Sequence, residues 1–113
     1  MATLKQEIYA VLKATGLPVA YRHSDISQLP RFSYSLIYNG ELRLSGQTHS
    51  KKPSYQIDYF SHVPVDVESF ELFDNVREAL RTERIAVKNW QEVGSYDEDS
   101  DLGLYHYYLE SEK

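Results

Sequence analysis

The stretch RFSYSLIYNGEL, residues 31–42, decides how the chain is read. Phe32, Tyr34, Leu36 and Tyr38 alternate with polar residues, the period-2 pattern of a strand with one covered face. Ile37 falls on the opposite face and implies some cover there too. Asn39-Gly40 then gives a strong local hairpin signal, because both central residues of the favoured two-residue turn need positive φ. The reading places a turn at Asn39-Gly40 and a returning arm over Glu41 to Ser45.

Working upstream, Val19 to Tyr21 form a short apolar run that fits a strand. Residues 3–15 carry Leu4, Ile8, Val11 and Leu12 at helical spacing. Thr3 with Gln6 fits a capping box, each side chain reaching an unpaired backbone N–H. Gly16 and Pro18 stop the helix. Downstream, GQTHSKKPS (46–54) reads as a polar loop and YQIDYFSH (55–62) as a second alternating strand, ended by Pro64. Tyr55, Ile57 and Tyr59 lie on one of its faces, Gln56, Asp58 and Phe60 on the other. Asp66 is placed to cap a second helix over 67–82, with Phe70, Phe73, Val76, Ala79 and Leu80 as its apolar stripe. Arg77, Arg81 and Arg84 suit its C-terminal dipole.

Two further strands, IAVKNWQEVGSY (85–96) and LGLYHYYLE (102–110), complete the chain. Between them four acids occupy five positions, Asp97, Glu98, Asp99 and Asp101. The order predicts an α+β fold with a mainly antiparallel sheet and two helices packed on one face. At 113 residues, without repeats or linkers, the chain reads as a single domain spanning 1–113.

A net charge of −5 argues against general binding to the nucleic-acid backbone, which needs excess Lys and Arg. The absence of cysteine removes disulfides, thiol nucleophiles and Cys-based zinc sites. The first residues are too polar for a signal peptide, and no apolar run approaches a membrane span. A soluble protein made in a cytoplasm is the expectation. Ten tyrosines are a heavy load for this length and suit strand faces or protein contacts.

The acidic stretch has the 1-3-5 spacing of a calcium loop at Asp97, Asp99 and Asp101. Leu102 stands where that loop needs glycine and Tyr108 where it needs a bidentate glutamate. It therefore reads as a solvated hairpin tip. His23, His49, His62 and His106 show no metal-ligand spacing; a meeting of His62 and His106 across strands is left open. Ser24-Asp25 and Ser54 lack a nucleophile elbow. Asp58 is the one acid at a plausible pocket position, and it is read as facing solvent. His49, Lys51 and Lys52 form a small basic cluster, read as an exposed loop able to meet an acidic surface. No catalytic or metal-binding residue and no cofactor is expected.

The sequence of elements nevertheless resembles a family. GLPVAY, QLPRFSYSLIY, SYQIDYFS and VESFELFDNVREAL follow an N-terminal helix and precede a strand pair with an acidic tip. Pro30 before the first long strand, the YQID-Y strand and the helix after it carry the likeness, over roughly residues 3–109. The pattern is similar to the tail terminator, or tail completion, proteins of long-tailed bacteriophages. That resemblance implies a virion protein of the tail and neck, assembled in the host cytoplasm and without chemistry of its own. It implies a homo-oligomeric ring, a hexamer in the usual case, capping the head-proximal end of the tail. Implied partners are other copies of itself, the major tail tube protein and the head connector or head-closure protein. Genomic DNA passes through the lumen without sequence-specific binding. Under this resemblance Asp97, Glu98, Asp99, Asp101, His49, Lys51 and Lys52 face the lumen or a neighbouring ring. Tyr55, Tyr59, Tyr105 and Tyr107 are the candidate subunit interface.

Three alternatives stand beside it. One is another neck protein, a head-closure adaptor. The second is a small cytoplasmic interaction module, dimeric through a tyrosine-rich strand. The third is an enzyme with a pocket around Asp58 or His106, which predicts a concavity with at least two convergent polar groups and a perturbed pKa.

Overall fold

The computed structural model describes residues 2–22, 28–44, 47–93 and 105–113, with 38–44 and 47–52 through their backbone and pairing. Helix α1 (Leu4–Lys13) opens on the expected capping box: Gln6 N–H donates to Thr3 Oγ1 at 3.2 Å, and Thr3 N–H to Gln6 Oε1 at 2.9 Å. It buries Leu4, Ile8 and Leu12. Gly16, at φ 85°, ends it in a conformation that costs glycine nothing.

Strand β1 (Val19–Tyr21) follows, as read from the sequence, and pairs parallel with β2 (Arg31–Leu44). The Leu29–Pro30 peptide ahead of β2 is cis. Strand β2 is longer than expected and does not turn at Asn39-Gly40. Those residues sit in the ladder, opposite Pro53 and Lys52 of β3 (Gln47–Ser61). The chain returns between Leu44 and Gln47. The physical reason is cumulative: a turn at Asn39-Gly40 satisfies one local preference, whereas the later return adds pairings from Tyr38↔Ser54 to Leu44↔Gln47, including oppositely charged Glu41 and Lys51. Residues 47–54 of the expected loop are thereby part of β3.

Helix α2 (Glu71–Thr82) starts later than residue 67. Asp66 caps a turn instead: its Oδ1 accepts the Glu68 N–H at 2.9 Å and its carbonyl accepts the Ser69 N–H. Phe73, Val76 and Leu80 are the buried stripe. The helix ends with Arg84 N–H donating to the Arg81 carbonyl and Ile85 N–H to the Leu80 carbonyl. This arrangement normally places glycine at its left-handed position, and Arg84 fills it at φ 64°.

One strand was expected over 85–96. Its described residues, 85–93, form two short ones, β4 (Ala86–Val87) and β5 (Gln91–Glu92), both on the outer edge of β6 (Tyr105–Glu112); residues 94–96 lie outside the described residues. Trp90 interrupts them by turning inward, where its indole donates to the Phe73 carbonyl at 3.2 Å. The sheet order is β1-β2-β3-β6-β4, antiparallel except at β1–β2. This is the expected α+β fold.

The alternation places Phe32, Tyr34, Tyr55, Ile57, Tyr59, Tyr107 and Leu109 on one sheet face, in one cluster with the buried stripes of both helices. The opposite face carries Ser33, Ser35, Gln56, Asp58, Phe60 and His106.

Beyond Tyr34 on one side and Ser54 on the other, β2 and β3 pair only with each other among the described residues. The hairpin leaves the sheet there as a two-stranded arm. Fourteen residues of β2 extend roughly 46 Å at about 3.3 Å each, which accounts for the 51 Å long axis against 28 and 25 Å. The radius of gyration, 15.3 Å, exceeds the about 13 Å of a compact chain this long.

Candidate functional site

Among the described residues, the sheet face turned away from the helices and the arm both expose groups that a partner or ligand can use. Alternation along β3 turns Gln56, Asp58 and Phe60 to that sheet face, and β6 adds His106, which pairs with Phe60. Asp58 is only 7% exposed, which corrects the solvent-facing assignment. A carboxylate so placed needs partners. Its Oδ1 receives Gln56 Nε2 at 2.8 Å and lies 2.8 Å from His106 Nε2. In the neutral tautomer that carries its proton on Nε2, His106 donates to the carboxylate. The imidazole also stacks on Phe60, with centroids 4.4 Å apart and planes 16° off parallel. His106 therefore meets Asp58. Arg22, Ser33 and Ser35 complete the lining of a depression of about 320 Å³.

This depression gives polar groups of several kinds a common concavity, the geometric part of what the enzyme alternative predicts. A small polar ligand could be held there by hydrogen bonds. The histidine and the carboxylate already satisfy each other through His106 Nε2. Among the described residues no group of three or more His, Cys, Asp or Glu side chains could hold a metal ion. No helix among them is long and apolar enough to cross a membrane.

The second place is the arm. Its root exposes Leu36 and Ile37, at 40% and 44%. The register with β3 shifts between Leu36 and Tyr38, so Ile37 is the extra residue of a bulge. Backbone direction along β2 follows from its contacts with β1. Phe32 N–H donates to the Pro18 carbonyl, and the Tyr34 carbonyl accepts from Arg22 N–H, so both residues turn their polar groups away from β3. Carried past the bulge, the alternation turns Asn39, Glu41 and Arg43 outward. On the other edge Pro53 has no N–H to offer at an outward position, and Lys51 stands two residues before it. Proline and lysine are the usual protections of a strand edge. The β3 edge is closed, and along the arm the β2 edge is open among the described residues.

The candidate residues from the sequence divide accordingly. His49, Lys51 and Lys52 lie on β3 within the arm, in strand rather than loop. Asp97, Glu98, Asp99 and Asp101 lie outside the described residues. Tyr55, Tyr59 and Tyr107 are buried in the core, which corrects their assignment to an interface. Tyr105 is half-buried against that core. Burial pushes the phenols of Tyr34, Tyr55, Tyr59 and Tyr107 above their ordinary pKa; a hydrogen bond with Ser61 partly opposes this at Tyr59, and one with the Val65 backbone does so at Tyr107. Sequence reasoning missed Ser33 and Ser35 as site residues, although their alternation with Phe32 and Tyr34 already put them on the face of Asp58. No protein-family model matches the chain, and no curated protein matches it in sequence.

Proposed function

We propose that this chain is a structural assembly subunit, a tail terminator of a long-tailed phage, closing into a ring at the head-proximal end of the tail tube. The observation that carries the reading is the arm: a long hairpin that leaves its own sheet and offers backbone and apolar surface to another chain. A two-stranded hairpin is marginal in water on its own, so an arm of this length suits a subunit completed by neighbours. A closed head-to-tail ring also needs two different complementary patches. The arm root with Leu36 and Ile37 is one. The shallow groove between α1 and α2, lined by Ala10, Val11, Ala14 and Ala79, supplies another. The resemblance in the order of elements supplies the position in the virion.

Native mass spectrometry over a concentration series, with negative-stain imaging of the protein mixed with tail tubes, tests this. A ring with a central hole, seated on one end of the tubes, is expected. Tubes that stay bare and keep growing in its presence would remove the reading.

The depression around Asp58 favours a second reading, a ligand-binding or catalytic domain. It predicts that Asp58→Asn and His106→Ala abolish binding of a polar small molecule while leaving assembly intact. Assembly lost together with the fold in both variants would instead make the pair a structural one.

A further inference from the structure

The open edge of the arm is complementary to itself. Past the bulge, Asn39, Glu41 and Arg43 are the residues of β2 that turn their N–H and carbonyl groups outward, as follows from the β1 contacts and the β2–β3 register. Let a second copy lie antiparallel along this edge with Leu42 opposite Leu42. Glu41 then faces the second copy's Arg43, and Arg43 its Glu41. These are hydrogen-bonded pairs, because both members of each belong to the outward set. Leu42 meets its counterpart in the intervening non-hydrogen-bonded pair, where side chains come closest. Two opposite-charge pairs and one apolar pair thus fall into a single register. Shifting it by two residues opposes Arg43 to Arg43 or Glu41 to Glu41, and like charges directly opposite are destabilising.

We infer that the arm joins two copies of this chain by antiparallel pairing of their β2 edges about a two-fold axis at Leu42. The occupant is a second copy because the complementarity is symmetric: the same residues supply both sides, as an isologous contact demands. The other edge of the arm cannot compete, since Pro53 lacks the outward N–H that a further strand would need. Pairing converts two marginal hairpins into one four-stranded ribbon, above the strand number at which sheets become stable. This inference does not rest on the phage reading. If both hold, the pair is the stored form of the subunit, its arms engaged with each other until a tail end is offered.

The chain has no cysteine, so a single Leu42→Cys substitution gives a clean test. Non-hydrogen-bonded partners stand about 4.5 Å apart at Cα, within disulfide range. Mild oxidation of the full-length L42C protein is expected to give a reducible dimer in high yield. L44C, which the register holds roughly 13 Å from its own copy at about 3.3 Å per residue, stays uncrosslinked. In analytical ultracentrifugation the unmodified protein sediments as a dimer, and R43E weakens that dimer at least tenfold. The double exchange E41R/R43E restores it, because each new charge again meets its opposite. A monomer at every concentration overturns the inference. So does a ring or dimer in which L42C fails to crosslink; a ring of that kind would leave the proposed function standing.

Discussion

Trp90 lies parallel to Phe73, with ring centroids 4.0 Å apart and planes 11° off parallel, and donates its indole N–H to the carbonyl of that same residue. One side chain thus fills the space over α2, satisfies a helical carbonyl and separates β4 from β5. Replacing it by alanine removes the packing and the hydrogen bond together, and a loss of about 3–5 kcal/mol is expected. Trp90→Phe keeps most of the volume and loses less. Because it is the sole tryptophan, its own fluorescence in urea reports the unfolding of the unmodified chain. Equal midpoints for the alanine variant and the parent, measured by circular dichroism, would contradict this account.

Arg84 occupies a left-handed position that glycine fills without strain. Arg84→Gly therefore relieves the conformational cost at the end of α2, offset in part by the greater freedom of glycine in the unfolded chain. The expected net gain is about 0.5–1 kcal/mol, read as a higher urea midpoint at unchanged slope. A lower midpoint would mean that Arg84 makes a contact worth more than the strain.

Asp58 is buried with two partners, and removing either partner leaves its carboxylate short of a hydrogen bond. His106→Ala and Gln56→Ala should each destabilise the fold by about 1–3 kcal/mol. The double variant should depart from the sum of the two, because groups sharing one acceptor are coupled. Strict additivity in a double-mutant cycle would show that the three side chains do not act as one network.

Four buried phenols have pKa values raised above the ordinary tyrosine value near 10, with burial as the largest cause. In the unfolded chain these groups lose protons first as pH rises, so the unfolded state is favoured there. Their contribution to stability is fully present below about pH 10 and is lost as pH climbs through the folded values. Urea midpoints should be level across mildly alkaline pH and fall steeply above it. Tyr55→Phe and Tyr59→Phe should each make that fall shallower, and an unchanged slope in both would remove the phenols as its cause.

Much of this fold is written in short-range pattern. The reciprocal bonds of Thr3 and Gln6, the stop at Gly16 and the alternating YQIDYF strand all depend on residues within a turn or two of one another, and each forms as read. The hairpin return was not legible, because Asn39-Gly40 and Ser45-Gly46 are both acceptable turn dipeptides. The choice depends on the whole ladder that each would allow. Asp58 was misjudged for a related reason: alternation assigns a residue to a face but does not say what lies over that face. The tyrosines share this ambiguity, since one amphipathic side chain serves a core as well as a contact. Only pairing partners far along the chain, such as His106 for Asp58, distinguish the cases.

The sheet order also sets a timetable. Strands β2 and β3 are neighbours in sequence, whereas β6 must reach β3 from far along the chain; Asp58 and His106 are 48 residues apart. Local contacts close sooner than distant ones. While a nascent or refolding chain waits for β6, the central strand β3 is temporarily an outer one, with its own Tyr55, Ile57 and Tyr59 less covered. Crowded refolding should therefore produce aggregates through β3, and yield should recover on dilution. The native protein guards the outward end of that strand with Pro53 and Lys51, but its middle is protected only by the arrival of its last neighbour.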